Sequence, residues 1–118
     1  MRTDADRLSD ILLAIAKIKQ RAAGSLDAFK QDEMLQVWVI HHLQVIGEAA
    51  RGISQGVKDR RLEVQWPQII ALRNILVHEY FGLNLHQVWT MAQQDLPELE
   101  RQIQRLRADL ASDPRRTG

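Results

Sequence analysis

The chain has 118 residues, 45% of them hydrophobic, with 16 basic and 15 acidic side chains and a net charge of +1. That length fits one domain, and the apolar share excludes global disorder. The near-neutral balance confines any nucleic-acid contact to a local basic patch, and the absence of cysteine excludes disulfides, a thiol nucleophile and a zinc–thiolate site.

The start of the chain interleaves Arg2, Asp4, Asp6 and Arg7, unlike a secretory leader. No apolar run approaches the about 20 residues that a membrane span needs. A cytosolic protein without a membrane partner is expected.

Leu8, Ile11, Leu12, Ile15, Ile18 and Ala22 recur at helical spacing, with Arg7, Asp10, Lys17, Lys19 and Gln20 opposite. Thr3 or Asp4 can cap this first helix, and Gly24-Ser25 ends it. Ser25 or Asp27 can start the next element. A second helix is expected over 31–53. It carries one stripe of Leu35, Val39, Leu43, Ile46, Ala50 and Ile53 and another of Met34, Trp38, Val45 and Ala49. A surface helix needs one stripe, so this helix is central or also meets another subunit. Gly47, Ala49 and Ala50 are small enough to let a neighbouring helix come close.

Lys58-Asp59-Arg60-Arg61 reads as a charged connector. Trp66-Pro67 opens a third helix, with Pro67 suited to the first turn, and that helix should end near Tyr80 to Gly82. Leu85, Val88, Trp89 and Ala92 begin a fourth, with Asn84 as cap. Asp95-Leu96-Pro97-Glu98 has the form of a restart, with Asp95 as cap, or of a proline kink in one long helix. Leu99, Ile103, Leu106 and Leu110 continue the stripe. Nothing alternates with period two over a strand length. An all-α, up-down bundle of four or five helices over 1–112 is therefore expected, followed by a disordered polar tail over 113–118.

The third helix carries the chemistry. Arg73, Asn74, His78 and Tyr80 stand among Ile69, Ile70, Leu72, Ile75, Leu76 and Val77. An unpaired buried charge is costly, so these groups should line a cleft or a partner surface. Arg73 offers a planar fork of donors to phosphate, and His78 titrates near neutrality as a general acid or base. Asn74 can orient a phosphate or the imidazole. RNA brings its own nucleophile, the 2′-hydroxyl, so such a set can cleave a phosphodiester without a metal or other cofactor. The same residues also suit a helix whose arginine pairs with an acid and whose histidine sits at a helix end. At about 100° per residue, Arg73 and His78 differ by about 140°, so they do not share a stripe.

Three further sets of residues have candidate roles. Neighbouring His41 and His42 diverge on a helix and make a poor chelate, so they read as structural. Glu48 and Arg51 stand three residues apart, as an intrahelical pair; alternatively, Glu48 reaches a catalytic arginine or histidine. The basic residues at Lys58, Arg60, Arg61, Arg101, Arg105, Arg107, Arg115 and Arg116 are diluted by acidic neighbours and read mainly as solvated faces.

The segment 73–80 resembles the Arg-x4-His-x-Tyr signature of HepT-like proteins in the HEPN superfamily. Ile46-Gly47-Glu48-Ala49-Ala50 is similar to that family's Gly-Glu-Ala segment; Trp66-Pro67, Val88-Trp89 and Asp95-Leu96-Pro97 fall at familiar places, so the resemblance covers about residues 4–106. It implies a homodimer with the two motifs meeting across a two-fold axis. It also implies a metal-independent ribonuclease that is the toxin of a type VII toxin–antitoxin pair. Arg73 and His78 would be the catalytic residues, supported by Asn74 and Glu48. The partner would be a nucleotidyltransferase antitoxin that transfers AMP from ATP to Tyr80, and tRNA or mRNA would be the substrate. The alternative is a non-catalytic dimer that binds RNA or nucleotide, or only presents Tyr80 to the nucleotidyltransferase.

Overall fold

The computed structural model describes residues 2–78 and 84–112, with residues 74–78 described as helix backbone. Every regular element among these is helical. The first helix, α1 (Asp4–Arg21), is capped by Thr3 rather than Asp4. The Thr3 hydroxyl accepts from the Asp6 N–H at 3.1 Å, and the Asp6 carboxylate accepts from the Thr3 N–H at 2.9 Å. This closes a capping box. Asp4 instead accepts from the N–H and hydroxyl of Ser54, at 2.9 and 2.7 Å, which ties the start of α1 to the far end of the next long helix. Gly24 takes φ +101°, a left-handed conformation that glycine adopts without steric cost, and turns the chain after α1.

The helix expected over 31–53 is present, and the element expected to start at Ser25 or Asp27 stands apart from it. A short α2 (Leu26–Gln31), capped by Ser25, precedes α3 (Glu33–Gly52). Asp32 separates them at φ −115° and ψ 91°, and its carboxylate accepts from the Leu35 N–H at 3.0 Å. The side chain thus satisfies an amide that a continuous helix would have used. Gln36 donates back to the carbonyls of Phe29 and Lys30, at 2.9 and 3.1 Å, and so caps the end of α2.

Helix α3 is central, packed on α1 along one side and on α5 (Trp66–His78) along another. Its first stripe enters the core through Val39, Leu43, Ile46, Ala50 and Ile53, against Leu8, Ile11, Ile15 and Ile18 of α1. Its second stripe is only partly covered: Ala49 is buried, Trp38 and Val45 are half-buried, and Met34 is exposed.

The stretch read as a charged connector is built differently. Gln55–Lys58 forms the short helix α4, and Lys58 is buried. The chain wraps around Trp66, whose indole N–H donates to the carbonyls of Lys58 and Arg61, both at 3.2 Å. Arg61 reaches the last helix and meets Asp109 through Nε at 3.0 Å and Nη2 at 2.7 Å.

The C-terminal half runs as α6 (Leu85–Thr90), a π-helical turn (Met91–Asp95) and α7 (Leu96–Ala111), with Asn84 capping α6. Of the two readings offered here, a restart at Asp95 and one long helix through Pro97, the helix is continuous and does not restart. Asp95 has helical dihedrals and makes no side-chain cap, and Glu98 pairs with Arg101 instead. The Leu96 N–H bonds to the Met91 carbonyl, five residues back. Two pressures meet here. Pro97 has no N–H and its ring crowds the carbonyl four residues earlier. The buried positions Val88, Ala92 and Leu96 step by four twice in succession, which overshoots a regular α-helical stripe by about 80°. A wider turn relieves both. The expected end of α5 near Tyr80 to Gly82 and the tail over 113–118 lie outside the described residues.

Candidate active site

The site is assembled where α5 crosses α3. Trp66 is anchored by its indole hydrogen bonds, so α5 starts from a fixed point. Gly47 then sets how near the two helices come. A Cβ there would lie 2.9 Å from the Arg73 backbone nitrogen and 3.0 Å from the Ile69 carbonyl oxygen. Any side chain at position 47 would push α5 away, because backbone atoms cannot rotate aside.

This close approach places Glu48 beside Arg73. The Glu48 Oε2 contacts the Arg73 Nε, and its other oxygen faces Arg51 Nη1 at 3.9 Å. The two expectations for Glu48, a pair within its own helix and a reach to the motif arginine, are therefore realised together. Arg73 is 41% exposed and Glu48 57%, so the contact is open to solvent and adds little to stability. Its effect is geometric. The Arg73 guanidinium is fixed by its Nε edge, and the remaining donors are available to an oxyanion.

His78 is the last described residue of α5, and Asn74 stands one turn before it. Their side chains and the whole of Tyr80 lie outside what is described. Of the predicted site residues, the described structure brings together Arg73 and Glu48. Both motif positions, 73 and 78, lie on the one continuous helix α5.

Other polar features lie apart from this crossing. His42 is buried with Nε2 unpartnered, its ring edge-on to Trp38 at 4.6 Å and beside His41 at 4.9 Å. Burial first, then the nearby His41 and Lys17, holds its pKa below the ordinary histidine value. Arg61 is engaged by Asp109, which raises its pKa, with Glu63 also near at 3.5 Å. No local signal linked Arg61 to a residue 48 positions away. A cleft of about 280 Å³ between α5 and the C-terminal helix has Ile69, Leu72, Met91 and Leu96 in its wall. Glu63, Asp95 and Glu98 also line it, which disfavours a phosphate there. Among the described residues, no three His, Cys, Asp or Glu side chains gather as a metal site, and no helix is long and apolar enough to cross a membrane.

The all-helical architecture of the described residues is that of a HEPN-like helical bundle. Residues 11–106 match the family described as Ribonuclease HepT-like, and the chain belongs to that family. It is 31% identical over 107 residues to a protein of Caldanaerobacter subterraneus subsp. tengcongensis named provisionally as an RNase, covering 90% of this chain and 96% of the other. It is 32% identical over 107 residues to a protein of Thermococcus cleftensis named provisionally as a ribonuclease HepT, covering 90% and 97%. A Methanocaldococcus jannaschii protein with a provisional RNase name is 33% identical over 76 residues, covering 64% of this chain and 70% of the other. No solved structure matches the chain.

Proposed function

We propose that this chain is a metal-independent endoribonuclease, the toxin of a two-gene toxin–antitoxin pair, which acts as a homodimer and is silenced by AMP on Tyr80. The observation that carries the reading is the Arg73–Glu48 contact at the α3–α5 crossing of a Ribonuclease HepT-like chain. The names of the relatives, RNase and ribonuclease HepT, support the substrate class.

In this mechanism Arg73 binds the non-bridging oxygens of the scissile phosphate and the charge that grows on them. One His78 removes the proton of the 2′-hydroxyl, whose oxygen attacks phosphorus. The bond to the 5′-oxygen breaks, and a second His78 returns a proton to that leaving oxygen. A cyclic phosphate and a free 5′-hydroxyl result. The two histidines come from two subunits, which answers the 140° that separates Arg73 and His78 on one helix, at about 100° per residue. Asn74 holds the phosphate or the imidazole in line.

The exposed part of α3 supports the dimer. Met34 is 84% exposed and Val37 48%, beside half-buried Trp38 and Val45, on the face that leads to Glu48. A nucleotidyltransferase antitoxin would place AMP on Tyr80, adding a negative charge and a bulky nucleoside next to the motif.

The test is incubation of the purified chain with total RNA beside a His78→Ala variant, with molar mass in solution measured for both. Loss of cleavage with an intact dimer is expected. Cleavage that survives His78→Ala sinks the mechanism, and a monomeric wild type sinks the composite site. Intact mass after incubation with a cognate nucleotidyltransferase antitoxin and ATP should show one AMP per chain, absent from Tyr80→Phe.

A further inference from the structure

Arg51 has no part in the mechanism above, yet it shares a carboxylate with Arg73. One Glu48 oxygen meets the Arg73 Nε, and the other faces Arg51 Nη1 at 3.9 Å. A carboxylate spans a short distance, so the two guanidinium groups, one from α3 and one from α5, lie near the same acid. At 3.9 Å, Arg51 is ion-paired to Glu48 without a hydrogen bond, so that contact consumes none of its donors. It is 58% exposed. Several other basic groups are committed elsewhere: Arg61 to Asp109, Arg101 to Glu98, Lys19 to Glu100 and Arg2 to Asp10.

We infer that Arg51 is a second phosphate-binding residue of this site, and that Glu48 is a positioning residue spanning the two arginines. The inference rests on the ribonuclease reading and extends it. RNA carries a phosphate at every nucleotide, so a strand whose scissile phosphate lies on Arg73 offers an adjacent phosphate to Arg51. Two guanidinium groups from different helices that each meet a phosphate read a backbone and not a base. The acid between them reduces their mutual repulsion.

The probe is a single-stranded RNA oligonucleotide, bound by the full chain in a His78→Ala background that leaves it uncut. Binding is measured across a series of salt concentrations. Arg51→Ala should weaken binding several-fold and make the slope of log K against log salt shallower by about 0.7, the loss of one single-strand phosphate contact. Arg51→Lys, which keeps the charge, should restore most of that slope. The competing role for Arg51 is to neutralise Glu48 and nothing more, and a second background separates the two. In Glu48→Gln the carboxylate charge is gone, and Arg51→Ala should still weaken binding. Unchanged affinity and slope in Arg51→Ala overturn the inference, as does an effect that vanishes in the Glu48→Gln background. A His78→Ala parent that binds no RNA overturns the ribonuclease reading itself, and this inference with it. Thermal unfolding of each variant, unchanged within a few degrees, assigns the loss to binding.

Discussion

Gly47 and Arg73 meet backbone to backbone, and a single methyl group at position 47 would stand 2.9 Å from the Arg73 nitrogen. The consequence is specific to this glycine. Gly47→Ala gains about 1 kcal/mol of helix propensity, yet it must separate two packed helices, an overpacking that costs about 1–3 kcal/mol. A net loss of stability is expected, together with a larger loss of RNA cleavage because Arg73 is displaced. Gly56 lies in α4 with nothing within 4 Å of a Cβ. Gly56→Ala should therefore stabilise the chain by about 0.5–1 kcal/mol. Urea unfolding of the two variants should give shifts of opposite sign.

Arg73→Lys keeps the charge and loses the planar fork. A lysine cannot hold Glu48 along one edge and present parallel donors along another. Cleavage should fall by about 10²–10³-fold, as for other lost oxyanion donors, while the midpoint of urea unfolding moves little because the ion pair is half-exposed. A variant retaining wild-type turnover would show that the fork is not required.

The stability of the chain should depend on pH through His42. Its folded pKa is depressed, chiefly by burial, so the folded state favours the neutral ring. Above the ordinary histidine pKa of about 6.5, both states are neutral and the site is indifferent to pH. As pH falls below that value the unfolded chain takes up a proton first, and stability drops until the folded pKa is passed. His42→Phe removes the titration and should flatten this part of the curve. Unfolding free energies measured between pH 7.5 and 5 on both chains would decide it, and parallel curves would acquit His42.

Arg61 and Asp109 join the connector before α5 to the last helix through two hydrogen bonds. A double-mutant cycle with Arg61→Ala and Asp109→Ala should give a coupling of about 1 kcal/mol, since the pair is two-pronged and only partly solvated. The coupling should shrink as salt is added.

The parts of the fold legible in the sequence were those with local causes. Leu8, Ile11, Ile15 and Ile18 announced α1, and Ser25 and Asn84 announced their caps because each side chain bonds its own turn. Asp32 is not legible as the cap that separates the element begun at Ser25 from the helix expected over 31–53, because the apolar spacing carries no mark of it. Only the competition between its carboxylate and the helical amides divides the two. The proposed restart at Asp95 failed because the π turn answers a register conflict with Val88 and Ala92, a matter of tertiary phase. At the site, residue types and spacing identified Glu48 and Arg73 as candidates. Their meeting depends on how closely α5 crosses α3, which the sequence shows only through Gly47.

The π turn between Met91 and Asp95 also bears on how this chain can vary in length. It holds one residue more than a regular α-helical stripe from Val88 to Leu96 requires. A deletion of Gln94 would shorten the step from Val88 to Leu96 from eight residues to seven, close to two α-helical turns at about 3.6 residues each. The core would stay in phase on both sides. Length in this segment is thus free to change by one without cost to the buried stripe, whereas a single loss inside α7 would turn Ile103, Leu106 and Leu110 out of the core. Relatives that differ in length here can share the same interior, and the extra residue is a degree of freedom on the surface that faces α5.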